Sequence, residues 1–447
     1  MIKKFLLLSL VVSQLTISCS SDDSSDTKDE TLAEQIANIV KQPYSKLSPA
    51  DQKLKLEAEA NDMLTQLDKS KSSSAIEAIE NLNRLLDLSQ VDIFGGKNNN
   101  KVEDIINVSG VYGIYTWNNT EKVWVKTAST TELKFVFPAK SSQTANNAIL
   151  SAKGVSSDVK VKFYDGYITN NNGMQEIFDS IFLPSSSDAT LTIDGNSSAT
   201  FTQTAKYSSK NQSPDEFAYK ITLNDGYTWE MSGKKGAENT AKASFTYNGK
   251  NLVDFNTGST ANIDNLIDND ELIQYRGKAN GLITLMDNFV IVADMDLATA
   301  AADDAAFEKA NTRPVRPAWN QANSDYKAYY TALNAYEKKY SEGSVASFNK
   351  NMKLILVSKK DGTKIADVIQ HSEKDGDDHT FLLPVWNADG GYWSNDGTGE
   401  MFSQPYLIEV YYLKFSDNTE VAMGVYFSEG FENLNTKFND FIKAFNK

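Results

Sequence analysis

The residues of this chain best suited to chemistry lie between positions 371 and 400. His371 and His379, the only two histidines, bracket the acidic run SEKDGDD, which contains Asp377. If Asp375 and Gly376 form the turn that an Asp-Gly pair favours, the two imidazoles stand nearly opposite each other across a hairpin. A divalent ion could then be shared between them and the Asp377 carboxylate. The competing reading is a solvated hairpin tip, because loops collect acids for solubility. An EF-hand loop is excluded, since it needs acids at alternate positions and a distant glutamate.

The stretch WNADGGYWSNDGTGE, 386 to 400, offers a different chemistry. Trp386, Tyr392 and Trp393 supply flat apolar faces, while Asn387, Asp389, Asn395 and Asp396 supply hydrogen bonds. Sugar rings ask for that mixture, because their C–H faces stack on aromatic rings and their hydroxyls need polar partners. The alternative is a long hairpin whose tryptophans fold back on a sheet. Other chemistries have less to draw on. One cysteine and two histidines leave little for thiol or Ser-His mechanisms. No phosphate-cradling glycine loop, paired-His zinc helix or serine elbow occurs, and no motif asks for a cofactor. A glycan hydrolase using two carboxylates needs only acids, but among 59 of them spacing selects no pair.

The 44 basic and 59 acidic side chains give a net charge of −15, and loss of Lys3 and Lys4 with a leader makes the remainder more negative still. That balance repels phosphate backbones, and no basic run follows Lys4, so nucleic acid is not an expected partner. With 447 residues, 40% of them apolar, the chain can build a core as one large sheet domain or as two to three ordinary ones. A disulfide scaffold is excluded by the single thiol.

Residues 1 to 19 read MIKKFLLLSLVVSQLTISC: two lysines, an apolar run from Phe5 to Val12, a short polar stretch, then Cys19. The run is too short to span a bilayer and has the layout of a secretory leader. Leu15, Thr16, Ile17, Ser18 and Cys19 resemble the lipid-attachment box of bacterial lipoproteins; small Ser18 suits the cleavage subsite, whereas Thr16 departs from the commoner Leu or Val. The resemblance implies removal of residues 1 to 18 and acylation of Cys19, which makes a membrane the partner through the lipid anchor. Ordinary secretion with a leftover cysteine is the alternative. Residues 19 to 30 then form an acidic flexible tether with no apolar side chain after Cys19. Its start, Ser20, Ser21, Asp22 and Asp23, resembles the export signal that carries Bacteroidetes lipoproteins to the outer face of the outer membrane. A cell-surface location is therefore the expectation, with a periplasmic tether as the alternative.

Apolar periodicity sets out the elements that must position these groups. From 31 to 95 the pattern is helical, with Ser48 capping a helix that starts at Pro49 and Ser74 with Glu77 repeating the device. These helices form either a small bundle or a pair lying against the sheet that follows. After the break GGKNNNK at 95 to 101 the period changes to two. Strand-like runs follow, separated by Asp165-Gly166, Asp194-Gly195, Asp225-Gly226 and Asn248-Gly249, each a hairpin turn pair. Residues 299 to 341 are helical around the RPVRP break, and EVAMGVYF at 420 to 427 reads as a strand. The end carries an apolar stripe through Phe431, Leu434, Phe438, Phe441, Ile442 and Phe445. The expected class is α+β: a large antiparallel β-meander sheet over 102 to 447, an N-terminal helical segment, a helical insertion and a C-terminal amphipathic helix at 429 to 446.

GVYGIYTWNNTEKVWVK with ELKFVFPAK, 110 to 140, and LKFSDNTEVAMGVYFSEGFENL, 413 to 434, resemble an uncharacterised group of Bacteroidetes lipoproteins. The resemblance implies an envelope location and brings neither an activity nor a site. Non-enzymatic binding, with glycan capture at the surface, is the leading expectation. A half-barrel carrier of a lipid or other apolar ligand is the second, the hydrolase the third, and a protein partner is open. When cells are grown with labelled palmitate, the protein is expected to carry the label and its Cys19→Ala variant to carry none; label retained on the variant would remove the anchor.

Overall fold

The computed structural model describes residues 31–428 except 71, 95–102, 172, 209 and 270–274, together with 431 and 436. The leader, Cys19, the tether and all but two positions of the expected C-terminal helix lie outside the described residues.

Three helices open the fold: α1 (Leu32–Val40), α2 (Pro49–Ser70) and α3 (Ser74–Leu88). Thr31 caps α1 in a reciprocal box, its backbone N–H donating to Glu34 Oε2 at 2.8 Å and its hydroxyl accepting from the Glu34 N–H. Ser48 accepts from the Asp51 N–H at 3.2 Å, as its position before Pro49 predicts. The cap of α3 is Ser73, one residue before the expected Ser74.

Strands β1 (Glu103–Ile106), β2 (Gly113–Asn118), β3 (Val123–Thr127) and β4 (Leu133–Phe137) come next. Two long strands follow, β5 (Ala148–Asn170) and β6 (Gly173–Ile193), then β7 (Asn196–Tyr207), β8 (Pro214–Leu223), β9 (Tyr227–Lys234), β10 (Asn239–Tyr247) and β11 (Lys250–Ser259). After the short α4 (Ile263–Asp268) come β12 (Ala279–Leu285) and β13 (Phe289–Met295), the helical insertion α5 (Leu297–Ala310) and α6 (Tyr326–Asn351), then β14 (Met352–Ser358) and β15 (Thr363–Lys374). Four short strands, β16 (His379–Leu382), β17 (Val385–Asn387), β18 (Tyr392–Ser394) and β19 (Met401–Gln404), precede β20 (Leu407–Lys414), β21 (Glu420–Ala422) and α7 (Met423–Tyr426).

All strands except β16 to β19 join one 17-stranded sheet. From β4 to β15 each strand pairs antiparallel with the next in sequence, the predicted meander. β20 adds to β15 and β21 to β20, while β2 lies parallel to β4 with β3 outside it. β1 lies parallel to β6.

The helices lie on this sheet and not in a separate bundle. Ala78, Leu82 and Leu85 of α3 pack on Trp117, Phe135, Leu150, Leu191 and Phe201 of β2 to β7. On the same face α2 bridges two cores, Leu56 with Phe289, Leu356 and Leu413, and Met63 with Tyr227, Phe245 and Leu252. Ile36 and Ile39 of α1 cover the opposite face of β12 to β14, against Leu282, Val290, Val292, Ile355 and Val357. The face bearing α2 and α3 is termed inner below.

Two expectations are corrected. Asp165-Gly166 makes no turn: β5 runs through it with a shift of register between Tyr164 and Gly166, and the chain reverses between Asn170 and Gly173. Asp194-Gly195 and Asn248-Gly249 do turn, each with φ positive at both residues. EVAMGVYF is a strand only to Ala422 and then turns helical, which buries Tyr426 against Phe415 and lets its hydroxyl donate to Pro49 O at 2.9 Å. Leu82→Ala is expected to destabilise the fold by about 2–5 kcal/mol, and Leu88→Ala, on the exposed side of α3, by less than about 0.5 kcal/mol; urea denaturation of both variants checks this.

Candidate functional site

The aromatic loop is placed by a clamp that reaches back to the stretch between α5 and α6. β17 and β18 form a hairpin in which Trp386 and Trp393 are register partners, their rings 6.1 Å apart. Its turn is held by Asn387, whose side-chain oxygen accepts from the Gly390 N–H at 2.8 Å, and by Gly391 at φ 70°. From this hairpin the Trp393 backbone N–H donates to Trp319 O at 2.7 Å and its indole N–H to Gln321 O at 2.8 Å. Tyr326 and Ser324 donate to the carbonyls of Pro317 and Ala318, and the Tyr326 ring lies 5.2 Å from that of Trp393. Residues 311 to 325 have no regular structure of their own, as the prolines dictate, so these bonds give their carbonyls partners.

The clamp raises Trp319 to the surface beside Tyr392. Trp319 is 63% exposed and Tyr392 38%, with ring centroids 6.4 Å apart and planes at 55°. Trp386 and Trp393 are half-buried beneath them, and Asp389 and Asn395 are exposed on the same hairpin and the turn that follows it. Of the residues singled out from sequence, Tyr392, Asp389 and Asn395 therefore face solvent and the two tryptophans act as base. Asp396 serves its own loop: its carboxylate accepts from the Thr398 hydroxyl at 2.7 Å and N–H at 2.9 Å, and those bonds hold it below the usual carboxylate range. Trp319 was not visible as a site residue, being 67 positions from Trp386; a large apolar ring in a proline-bounded, otherwise polar segment was its only signal.

The loop closes over β16 and β19, which pair with each other and pack Phe381 and Phe402 on Tyr330 of α6, at 4.8 Å and 5.9 Å. The closure needs glycine at 399, because a Cβ there would stand 1.7 Å from the Leu383 carbonyl oxygen.

The proposed metal hairpin does not form. β15 carries His371 into pairing with β20, opposite Val410, whereas His379 begins β16 opposite Gln404. His371 Nε2 lies 2.7 Å from Glu420 Oε2, the His379 ring lies 5.3 Å from Phe381, and Asp377 is exposed between the two strands. Among the described residues no group of three or more His, Cys, Asp or Glu side chains is placed to hold a metal ion. Burial pushes the Asp254 carboxyl above its usual range, and its charged neighbours include Lys359, Lys242 and Asp287. Comparison of the chain with protein families, with curated proteins and with solved structures gave no match.

Hydrogen bonds from His371 and then Lys414 hold the Glu420 carboxyl below its ordinary 4.5. A carboxylate so lowered contributes stability above the unfolded value and loses it as the pH falls through the folded one. Glu420→Gln is thus expected to be less stable than the parent near neutral pH, with the difference closing below about pH 4; denaturation midpoints measured across that range check the sign.

Proposed function

We propose that this chain is a lipid-anchored protein of the bacterial cell envelope that captures glycans without performing chemistry on them. The observation that carries the binding reading is the exposed pair Trp319 and Tyr392 on a hydrogen-bonded base. An exposed indole loses little conformational freedom on binding when its backbone is already clamped, so stacking energy is not spent on ordering a loop. The 55° between the two rings suits a bent or branched saccharide better than a flat aromatic ligand, which asks for one slot. Asp389, in the turn of the same hairpin, and Asn395, just after its second strand, are exposed and supply an acceptor and an amide for hydroxyl groups. The net charge of −15 favours neutral sugars over sulfated or uronic ones.

The envelope location rests on the leader, on Cys19 and on the acidic tether. Capture at the outer surface is the role that a surface-exposed aromatic platform on an anchored sheet serves. In affinity electrophoresis through neutral polysaccharides, the protein is expected to be retarded by at least one of them. Trp319→Ala and Tyr392→Ala should each weaken that binding roughly tenfold, about 1.4 kcal/mol, without moving the thermal midpoint. Retardation equal in parent and double variant would dispose of the platform.

A further inference from the structure

The segment that leads from α5 to Trp319 is neither α-helix nor β-strand, yet its burial is periodic. Asn311, Pro314 and Pro317 are half-buried, and the two positions after each of them are exposed, Val315 by 88%. Among the described residues no backbone-to-backbone hydrogen bond involves residues 312 to 318. A period of three without internal bonds is that of polyproline II. The sequence dictates it, because Pro314 and Pro317 fix their own φ and each follows an arginine, which the proline ring pushes into the same extended region. The segment is therefore a rod with one edge against the body of the protein.

Three residues per turn put Arg313, Arg316 and Trp319 on one exposed ridge, with about 9 Å between successive members. Two of the chain's four arginines thus stand in line with the exposed indole. Arg313 is engaged within the protein: its guanidinium lies 2.9 Å from Glu337 Oε1 and 5.9 Å from the centre of the Tyr336 ring, which pins the start of the rod to α6. Its other end is held by the clamp, through the carbonyls of Pro317, Ala318 and Trp319. Arg316, exposed between these two fixed points, has among the described residues neither a hydrogen bond nor an ion pair, in a chain with 59 acidic side chains. Its donors are left for a ligand.

We propose that the rod extends the glycan site and that Arg316 selects for chain length, an inference that rests on the platform reading above. The two rings, with their planes at 55°, send a bent or branched saccharide off in two directions, and the arm stacked on Trp319 follows the rod. About 9 Å is the reach of two linked pyranose rings, so the Arg316 guanidinium meets the second ring beyond the one on Trp319. There its planar fork of N–H donors spans two adjacent hydroxyls, as it would the two oxygens of a carboxylate. A uronic or sulfated arm is opposed by Asp389, exposed on the hairpin that carries Tyr392, and by the net charge of −15. The ligand class is accordingly a neutral oligosaccharide or polysaccharide whose arm has about three rings or more; a mono- or disaccharide does not reach both residues.

The test is binding of the full-length protein to an array of neutral gluco-, manno- and galacto-oligosaccharides, from monosaccharides to hexasaccharides, with uronic-acid oligosaccharides of the same lengths beside them. The parent is expected to prefer neutral chains of three rings or more. Arg316→Ala should lose that preference, weakening the longer chains roughly tenfold, with its thermal midpoint unchanged because the side chain has no partner to lose. A parent indifferent to length, a preference that survives in Arg316→Ala, or tighter binding of the uronic chains overturns the rod and leaves the platform standing. Binding that Trp319→Ala leaves untouched, or a parent that binds no member of the array, overturns both.

Discussion

A sheet with one apolar face must have that face covered, and here the sheet is far wider than its cover. Sixteen strands abreast at the ordinary spacing span about 70 Å, whereas α2, the longest helix on the middle of the inner face, has 22 residues and reaches about 33 Å. Coverage is therefore a matter of allocation. α3 takes β2 to β7, α2 lies across the meander from β9 to β14, and α6 takes the far end of β14, β15 and β20, where Ser341 meets Ser372 and Glu409 and Asn349 meets Gln370. Between these helices apolar side chains stay half-open.

The allocation also decides where the protein is stiff. At β12 to β14 the sheet is packed on both faces, by α1 on one and α2 on the other, so that alternate residues of β13 serve two cores: Phe289 and Ile291 one, Val290 and Val292 the other. Those strands read as continuous apolar runs for that reason, FVIVADM and KLILVS, whereas β8 to β10 alternate. The insertion α5 and α6 leaves the sheet at its stiffest strands and returns there, since β13 and β14 pair directly. An aromatic platform borne by that insertion inherits a fixed base, and the clamp from Trp393 transfers that rigidity to Trp319.

Local patterning made most of the fold legible. The change of period near residue 102, the proline-led start of α2 and the turn pairs at 194 and 248 are all decided within a few residues, by caps and by positive φ. What sequence did not reveal was decided by pairing across distance. Asp165-Gly166 is as good a turn pair as Asp194-Gly195, but the ladder between β5 and β6 extends past it, held by Tyr164 against Phe178 and by Lys162 over the same ring, and the dipeptide is absorbed as a register shift. His371 is claimed by β20, more than thirty residues further on, so its partner is Glu420 and the hairpin with His379 has no strands to form it. Trp319 reaches the candidate site through backbone carbonyls, which every residue carries and no sequence pattern marks. Hydrogen bonds of that kind place functional groups without leaving a signature in residue type.

A sheet that does not close leaves two edges, and an edge is a template for another chain. Here the two ends are β3 and β21, and both are cut short: five residues and three. Lys122, held at φ 57°, and Lys126 place charge along the β3 edge, while its single inward ring, Trp124, turns back onto Trp117 and Phe135. At the other end Glu420 meets both Lys414 and His371, and the chain passes at once from β21 into α7. Long strands would have bound more surface within this sheet, and β5 and β6 demonstrate that the chain can make them. Their length serves their pairing with each other: β4 pairs only with Ala148–Ala152 of β5, and β7 and β1 only with Ser186–Ile193 and Phe178–Ile181 of β6, so the far part of the pair runs on as a ribbon, and brevity is kept for the two ends of the row.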